Sequence, residues 1–415
     1  MRKEIWIPAL FLAAAAAVLA AAALLSERKN ARGDTAYVPM EPVRIAVAAD
    51  LHYIAPAITD GGPYFTQIIS NADGKLMQYS AEIADAFAET VIAQKPEVLI
   101  LPGDLTFNGA RESHTALIET LRRIEAAGVR VLVLPGNHDL ENPMAARFAG
   151  DGFERVQSVT PEGFAALYAD FGYGDALSRD DASLSYMSEV SAGLRLLFID
   201  TNMPDAPGAV KPETLQWAET QLQAAQDAGA RVICVTHQTI LQHNSVFTDG
   251  FVIENREALL SLLRRYGVAC SLCGHMHIQH IRSLGSLTEI VTAAVSVWPC
   301  QYGVLDVTAD GGTYRTETLS VPSVPDFAAE AEAFFNENTL RQSRASVAGL
   351  ENADAMLDYI TAMNRAYYSG RMDAVTADET LLAAWDAADP FLGAYLRSLA
   401  EDARQDFTQA TFSFG

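Results

Sequence analysis

From Val43 onward the chain alternates short apolar runs with polar clusters and amphipathic stretches. The runs are VRIAVAAD, EVLILPGD, VRVLVLPGNHD, ARVICVTH and VACSLCGHMH, with LRLLFID (Leu194–Asp200) between the third and fourth. Each is rich in Leu or β-branched residues, is short, and ends in Gly or polar residues, which predicts buried strands. Between them apolar positions recur at helical spacing. Leu117, Leu121 and Ile124 fall at i, i+4 and i+7 before the third run. PETLQWAETQLQAAQDAG, before the fourth, has Pro212 early and Gly229 at its end, the usual helix punctuation. Strands alternating with helices predict an α/β core. From Ile290 to Val321 the pattern turns β-rich, with EIVTAAVSVW, QYGVLDVT and TYRTETLSV.

The pattern changes at VPSVPD (Val321–Asp326), which reads as a linker. Beyond it only helical periodicity is visible. Met356, Leu357, Ile360, Met363 and Tyr367 make one apolar stripe, and Leu392, Tyr395, Leu396 and Leu399 another. Gly349, Gly370 and Pro390 punctuate them. Residues 323–415 are therefore expected to form an all-α C-terminal domain after a core spanning 36–322.

Residues 1–35 stand apart. Arg2 and Lys3 precede an uncharged run of 21 residues, Ile5 to Leu25. That matches the roughly 20 residues a helix needs to cross a bilayer, and the flanking cations favour a cytoplasmic N-terminus with the body exported. Two readings stand, a cleaved signal peptide with small-x-small sites such as Ala20–Ala22, or an uncleaved membrane anchor. A buried core helix fits less well, because the run has no polar face. No Cys follows the run before Cys234, which argues against a lipoprotein anchor.

Composition narrows the classes. With 415 residues the chain can bury a large core. A net charge of −23 argues against a nucleic-acid polymer or an anionic lipid surface as partner. It leaves room for a small anionic substrate, since bound metal ions reverse the local sign. The chain has four Cys, too few for a disulfide scaffold, and Cys234, Cys270 and Cys273 lie in apolar strand runs as small buried hydrophobes.

The polar clusters all follow predicted strands, and in an open α/β sheet ligands bind beyond the carboxyl ends of the strands. Asp50 and His52 follow the first run (DLH) and Asp104 the second (GD). Asn137, His138 and Asp139 follow the third (GNHD), His237 the fourth, and His275 and His277 the fifth (GHMH). Brought together, these oxygen and nitrogen donors suit Zn, Mn or Fe, and outnumber what one tetrahedral ion needs. Two ions about 3.5–4 Å apart would use them.

DxH, GD, GNHD, a lone His after a strand and GHxH, in that order over residues 43–310, resemble the calcineurin-like metallophosphoesterase superfamily. GDLTFNGARESH and the layout of leader and helical tail are most similar to exported bacterial members related to class III cyclic-nucleotide phosphodiesterases. The resemblance implies an α/β sandwich of two mixed β-sheets flanked by helices, holding two metal ions. It puts Asp50, His52 and His277 on the first ion, Asn137, His237 and His275 on the second, and Asp104 across both. It implies attack by a hydroxide held between the ions on a small phosphoester. His138 would bind the phosphate and protonate the leaving oxygen, and Asn137 would also touch the phosphate. Asp139 either stands behind these groups and orients His138 or a ligand, or caps the following turn. A phosphodiester, including a cyclic nucleotide, is the first expectation. A phosphomonoester or nucleotide on the same site is the alternative, and a non-catalytic surface binding protein fits poorly with an intact GNHD. No GxSxG suggests a serine hydrolase.

His114 is expected at the surface or in a cap, and His243 and His280 in loops near the site. The long segment after DLH, with Tyr53, Tyr64, Phe65 and Tyr79, reads equally as a specificity element or a structural flap.

Overall fold

The computed structural model describes residues 38–415. The N-terminal run, and with it the signal or anchor reading, lies outside the described residues. Among those residues no helix is long and apolar enough to cross a membrane.

Two mixed sheets face each other. In the first, β1 (Val43–Val47), β2 (Val98–Pro102) and β3 (Arg130–Leu134) are parallel. On the other side of β1 the sheet continues antiparallel. A small hairpin, β4 (Ala146–Ala149) and β5 (Gly152–Arg155), stands outside both sheets. The second sheet begins at its edge with β6 (Ser178–Arg179) and β7 (Tyr186–Ser191), antiparallel neighbours, and β7 pairs antiparallel with β8 (Leu194–Phe198). Then β8, β9 (Arg231–Val235), β10 (Cys270–Cys273) and β12 (Leu287–Val291) run parallel, with β11 (His280–Leu284) antiparallel at the far edge. The antiparallel part of the first sheet is β13 (Gln301–Thr308), β14 (Gly311–Thr318) and β15 (Gln409–Ser413).

Four of the five motif-bearing runs, β1, β2, β9 and β10, are central strands, and β3 is the edge of the first sheet. Every residue of β2 and β10 is buried, as expected of strands covered on both faces. The predicted helices are present at Arg111–Ala126 and Pro212–Asp227, and Leu117, Leu121 and Ile124 face the core. The two sheets meet at their carboxyl ends through a bridge between Ala49 and Ala294. The polar clusters therefore open onto one shared edge.

The tail is helical from Phe327 to Ala400, and the predicted stripes are the buried faces of Ala353–Ser369 and Pro390–Ala400. It is not closed on itself. Met356, Ile360, Met363 and Tyr367 share one apolar cluster with Cys273 and Val291 of the second sheet and with Met276 and Ile278 of the connection after β10. The all-α expectation for the tail misses β15, which pairs with β14. QATFS carries too few apolar residues to announce a strand, and its order comes from the open edge it completes.

Candidate metal centre

Backbone geometry at the shared edge is unusual. Asp50, His52, Asp104, His275 and His277 all lie at positive φ, between 45° and 68°. Left-handed backbone in non-glycine residues costs on the order of 1–3 kcal/mol each and gathers where function requires it. Here it turns each side chain back toward one point. Two glycines make the approach possible. Gly103 has φ +96°, and a Cβ there would stand 2.4 Å from His237 Nδ1. A Cβ on Gly274 would stand 2.6 Å from Asp50 Oδ2.

The side chains form two groups. Asp50, His52, Asp104 and His277 offer ligand atoms that all lie within 4.8 Å of one another, and so do Asp104, His237 and His275. Asp104 belongs to both. Its Oδ1 is 3.4 Å from His237 Nε2, while its Oδ2 is 3.7 Å from His52 Nε2. Asn137 joins the second group, with Oδ1 3.0 Å from His237 Nε2.

Backbone carbonyls set the imidazole orientations. His237 Nδ1 donates to the Pro102 carbonyl at 2.9 Å, which aims Nε2 inward. His275 Nε2 donates to the Gly250 carbonyl at 2.8 Å, which aims Nδ1 inward. His138 Nδ1 donates to the Phe107 carbonyl at 2.7 Å, leaving Nε2 toward the cluster, 3.9 Å from Asp104 Oδ2. Asp50 is held by the backbone N–H of His275.

The electrostatics are those of a site short of positive charge. Burial pushes the Asp50 carboxyl up to about 8. Burial also draws His275 down to about 3, and holds His52 and His277 well below the ordinary imidazole range. At His237 burial works the same way but Asp104 outweighs it, raising the imidazole to about 9. Burial opposes the Asp104 charge, and His237 and His138 reverse that effect, leaving its carboxyl well below its usual range. His52 and His277 bring their Nε2 atoms to 3.0 Å, and His237 Nε2 and His275 Nδ1 to 3.2 Å. Inward-facing imidazole nitrogens, with buried carboxylates between them, are a donor set that divalent ions fit. His52 Nδ1, buried without a partner among the described residues, marks how far packing here has been subordinated to that convergence.

Asp139 does not touch the His138 ring. It accepts from the backbone N–H groups of Leu105, Thr106 and Gly136 and from the Thr106 hydroxyl, at 2.8–3.0 Å. It thereby ties the loop carrying Asp104 to the loop carrying Asn137 and His138. His114, expected at the surface, is fully buried behind it, contacting the Asp139 carbonyl and the Tyr168 hydroxyl. The helix that presents His114 packs its apolar face inward, and its ring fills the gap under Asp139. His243 and His280 do not line the site; they pair with each other and with buried carboxylates.

Lys75 escaped the sequence reading. It is 5% exposed, and its charge bears on Asp50, His52 and His277. A lone Lys in a long segment carries no signal; it is brought in because Leu76 N–H donates to the Ser296 carbonyl, and the Ser296 hydroxyl donates to the Asp50 carbonyl.

The cysteines of CSLCGHMH take no part. All four in the chain are free and buried. Burial raises Cys234 and Cys300 to about 12, and Cys270 and Cys273 well above the ordinary thiol range. Thiolate is the reactive form. A colorimetric disulfide reagent should therefore label none of the four in the native protein and all four in denaturant. Fast labelling of Cys270 or Cys273 in the native state would contradict this packing.

A model of the calcineurin-like phosphoesterase family matches residues 43–279. Among curated proteins, a probable cyclic nucleotide phosphodiesterase of Vesicomyosocius okutanii is 24% identical over 182 residues, 44% of this chain and 62% of that protein. A probable glycerophosphodiester phosphodiesterase of Arcobacter nitrofigilis is 25% identical over 213 residues, 49% of this chain and 67% of that one. The chain thus spans about three fifths to two thirds of these relatives. Among solved structures, a dimetal phosphatase from Danio rerio superimposes with a TM-score of 0.51 at 17% identity, over 68% of this chain and all of that one, a likeness of fold.

Proposed function

The chain belongs to the calcineurin-like phosphoesterase family, and from that premise we propose that it is a dinuclear metal-dependent phosphodiesterase. The observation that carries this reading is the position of Asp104, buried and common to both ligand groups. Asp50, His52 and His277 would hold one ion, Asn137, His237 and His275 the other, and Asp104 both. Manganese, iron and zinc all suit these donors. Two such ions supply Lewis acidity and lower the pKa of water between them.

The protein's own groups do the rest. The substrate phosphate sits against His138 Nε2, which the Phe107 carbonyl keeps turned inward. The Asn137 Oδ1 faces His237, which leaves the amide N–H groups of Asn137 to donate to a phosphate oxygen. As a water oxygen bonds to phosphorus, losing one proton to solvent, and the bond to the ester oxygen breaks, His138 delivers its Nε2 proton to the departing alkoxide. Asp139 keeps the two loops in register during this exchange. The exported location of the body, read from residues 1–35, remains part of the proposal.

The test compares p-nitrophenyl phosphate, bis(p-nitrophenyl) phosphate and cyclic AMP with the manganese-loaded protein. The diesters are expected to be cleaved faster than the monoester, and chelation to stop all turnover. A faster monoester would replace the reading with a phosphomonoesterase, and turnover unaffected by chelation would end it.

A further inference from the structure

The two imidazoles of the second ligand group are oriented by different kinds of support. Pro102, whose carbonyl orients His237, is the last residue of β2. Gly250, whose carbonyl accepts from His275 Nε2 at 2.8 Å, lies in the loop 236–255 between β9 and the helix Arg256–Arg265. The base of this loop is pinned, with the Ile253 N–H donating to the Thr239 carbonyl at 2.9 Å. Its crest has little beneath it. A cavity of about 390 Å³ is lined in part by Thr248, Asp249, Gly250 and Arg256. Gly250 is exposed, and nothing among the described residues lies within 4 Å of the place a Cβ would take.

The crest leans on the helical tail instead. Asn244 is 3% exposed, and its Nδ2 donates to the Tyr367 hydroxyl at 3.1 Å and to the Ser398 hydroxyl at 2.9 Å. These hydroxyls come from the helices Ala353–Ser369 and Pro390–Ala400. Asn244 Oδ1 accepts from the backbone N–H groups of Val246 and Phe247, so one side chain both shapes the crest and ties it to the tail. A second link is aromatic. Phe247 packs on Tyr395 at 5.5 Å and on Phe251 at 5.1 Å, and Phe251 lies 5.5 Å from the His275 ring. Contacts therefore run unbroken from the tail to an imidazole that faces the metal centre.

We propose that the helical tail is part of the second metal site: by holding Asn244 it fixes the loop crest, and with it the Gly250 carbonyl that turns His275 Nδ1 inward. Asn244, Tyr367 and Ser398 are positioning residues, acting on the ion through His275. The inference rests on the two-ion reading and adds that the two ions are held by unequal scaffolds. Asp50, His52 and His277 take no hydrogen bond from this loop among the described residues. Loosening the crest should therefore weaken one ion and spare the other.

The test removes the two hydroxyls and keeps the apolar face of the tail. In Tyr367→Phe/Ser398→Ala the Asn244 amide is left buried without its acceptors, a cost that favours release of the crest. Metal-free protein is titrated calorimetrically with Mn²⁺, and wild type should take up two ions in two steps. His275→Ala identifies the step that belongs to the second ion. In the double variant that step is expected to weaken about 10–100-fold, the scale of losing the outer partner of a metal-bound histidine, with the other step within about twofold. Ser398→Ala alone, the milder change, should shift the same step by less. Circular dichroism checks that each variant is folded; if the double variant is not, the single variant decides by the same criterion. A merely structural role would weaken both steps alike. That result, or no change in either step, would overturn the inference and leave the two-ion reading standing. A wild type that takes up only one ion would end both.

Discussion

Asp104→Ala should abolish phosphodiester cleavage and leave the protein unable to hold its metal pair. Asp104 is the one side chain shared by both groups, is 1% exposed, and is locked at φ 49° with Oδ1 accepting from the His138 backbone N–H. Its removal would cost each of the two proposed ions a ligand and take away the negative charge that would let two cations lie close together. Losing a residue that merely supports a ligand lowers affinity or activity by about 10–100-fold, so the loss of a shared ligand should exceed about 10³-fold in kcat/KM. Metal analysis after dialysis should find fewer than two ions per chain. Asp104 is also what raises His237 to about 9. Without it burial is opposed only by Asp50 and the Pro102 carbonyl, so the imidazole loses its proton at a lower pH, which NMR of the metal-free variant would register. A variant that keeps two ions and a wild-type rate would end the shared-ligand assignment.

The site was legible in the sequence because its chemistry lies within a few residues of strand ends. Asp50 lies three residues past Val47 and His275 two past Cys273, so the apolar run that defines the strand also places the ligand. The groups that orient those ligands were not legible. The carbonyls of Pro102, Phe107 and Gly250 choose which imidazole nitrogen faces inward, and a carbonyl leaves no mark in the amino-acid code. Lys75 is hidden for a related reason. It reaches its place through a loop whose path is decided by tertiary packing, so no periodicity points to it. The last strand marks the same boundary: the tail's helices follow from their own stripes, whereas β15 exists because β14 offers an open edge.

Asp402→Ala should destabilise the protein by about 3–5 kcal/mol, the usual result of removing one member of a buried ionic group. Asp402 comes from the tail and is 1% exposed. It accepts from His280 Nε2 at 2.9 Å and pairs with Arg282 at 3.1 Å. His280 Nδ1 meets His243 Nδ1 at 2.9 Å, and His243 Nε2 meets Glu289, which also accepts from the backbone N–H groups of Ile240 and Leu241. Each imidazole donates outward through Nε2 to its carboxylate, so Asp402 and Glu289 fix the two rings, and Arg282 lies against Asp402 as well. Cutting Asp402 leaves the Arg282 guanidinium and the His280 Nε2–H without their acceptor. The pH dependence follows from His280, which burial draws down to about 4 against the pull of Asp402. Between its ordinary value of 6.5 and about 4 the unfolded chain binds this proton and the folded chain does not, so His280 makes stability fall as pH drops through that window. Asp402 is the group that raises His280, so without it the folded value falls further and the loss continues to lower pH. Urea unfolding of wild type and variant at pH 7 and pH 5 tests both statements. A variant as stable as wild type at pH 7, or one whose loss shrinks at pH 5, would mean that the tail is held by its apolar contacts with Met276, Ile278 and Val291 and owes nothing to this charged chain.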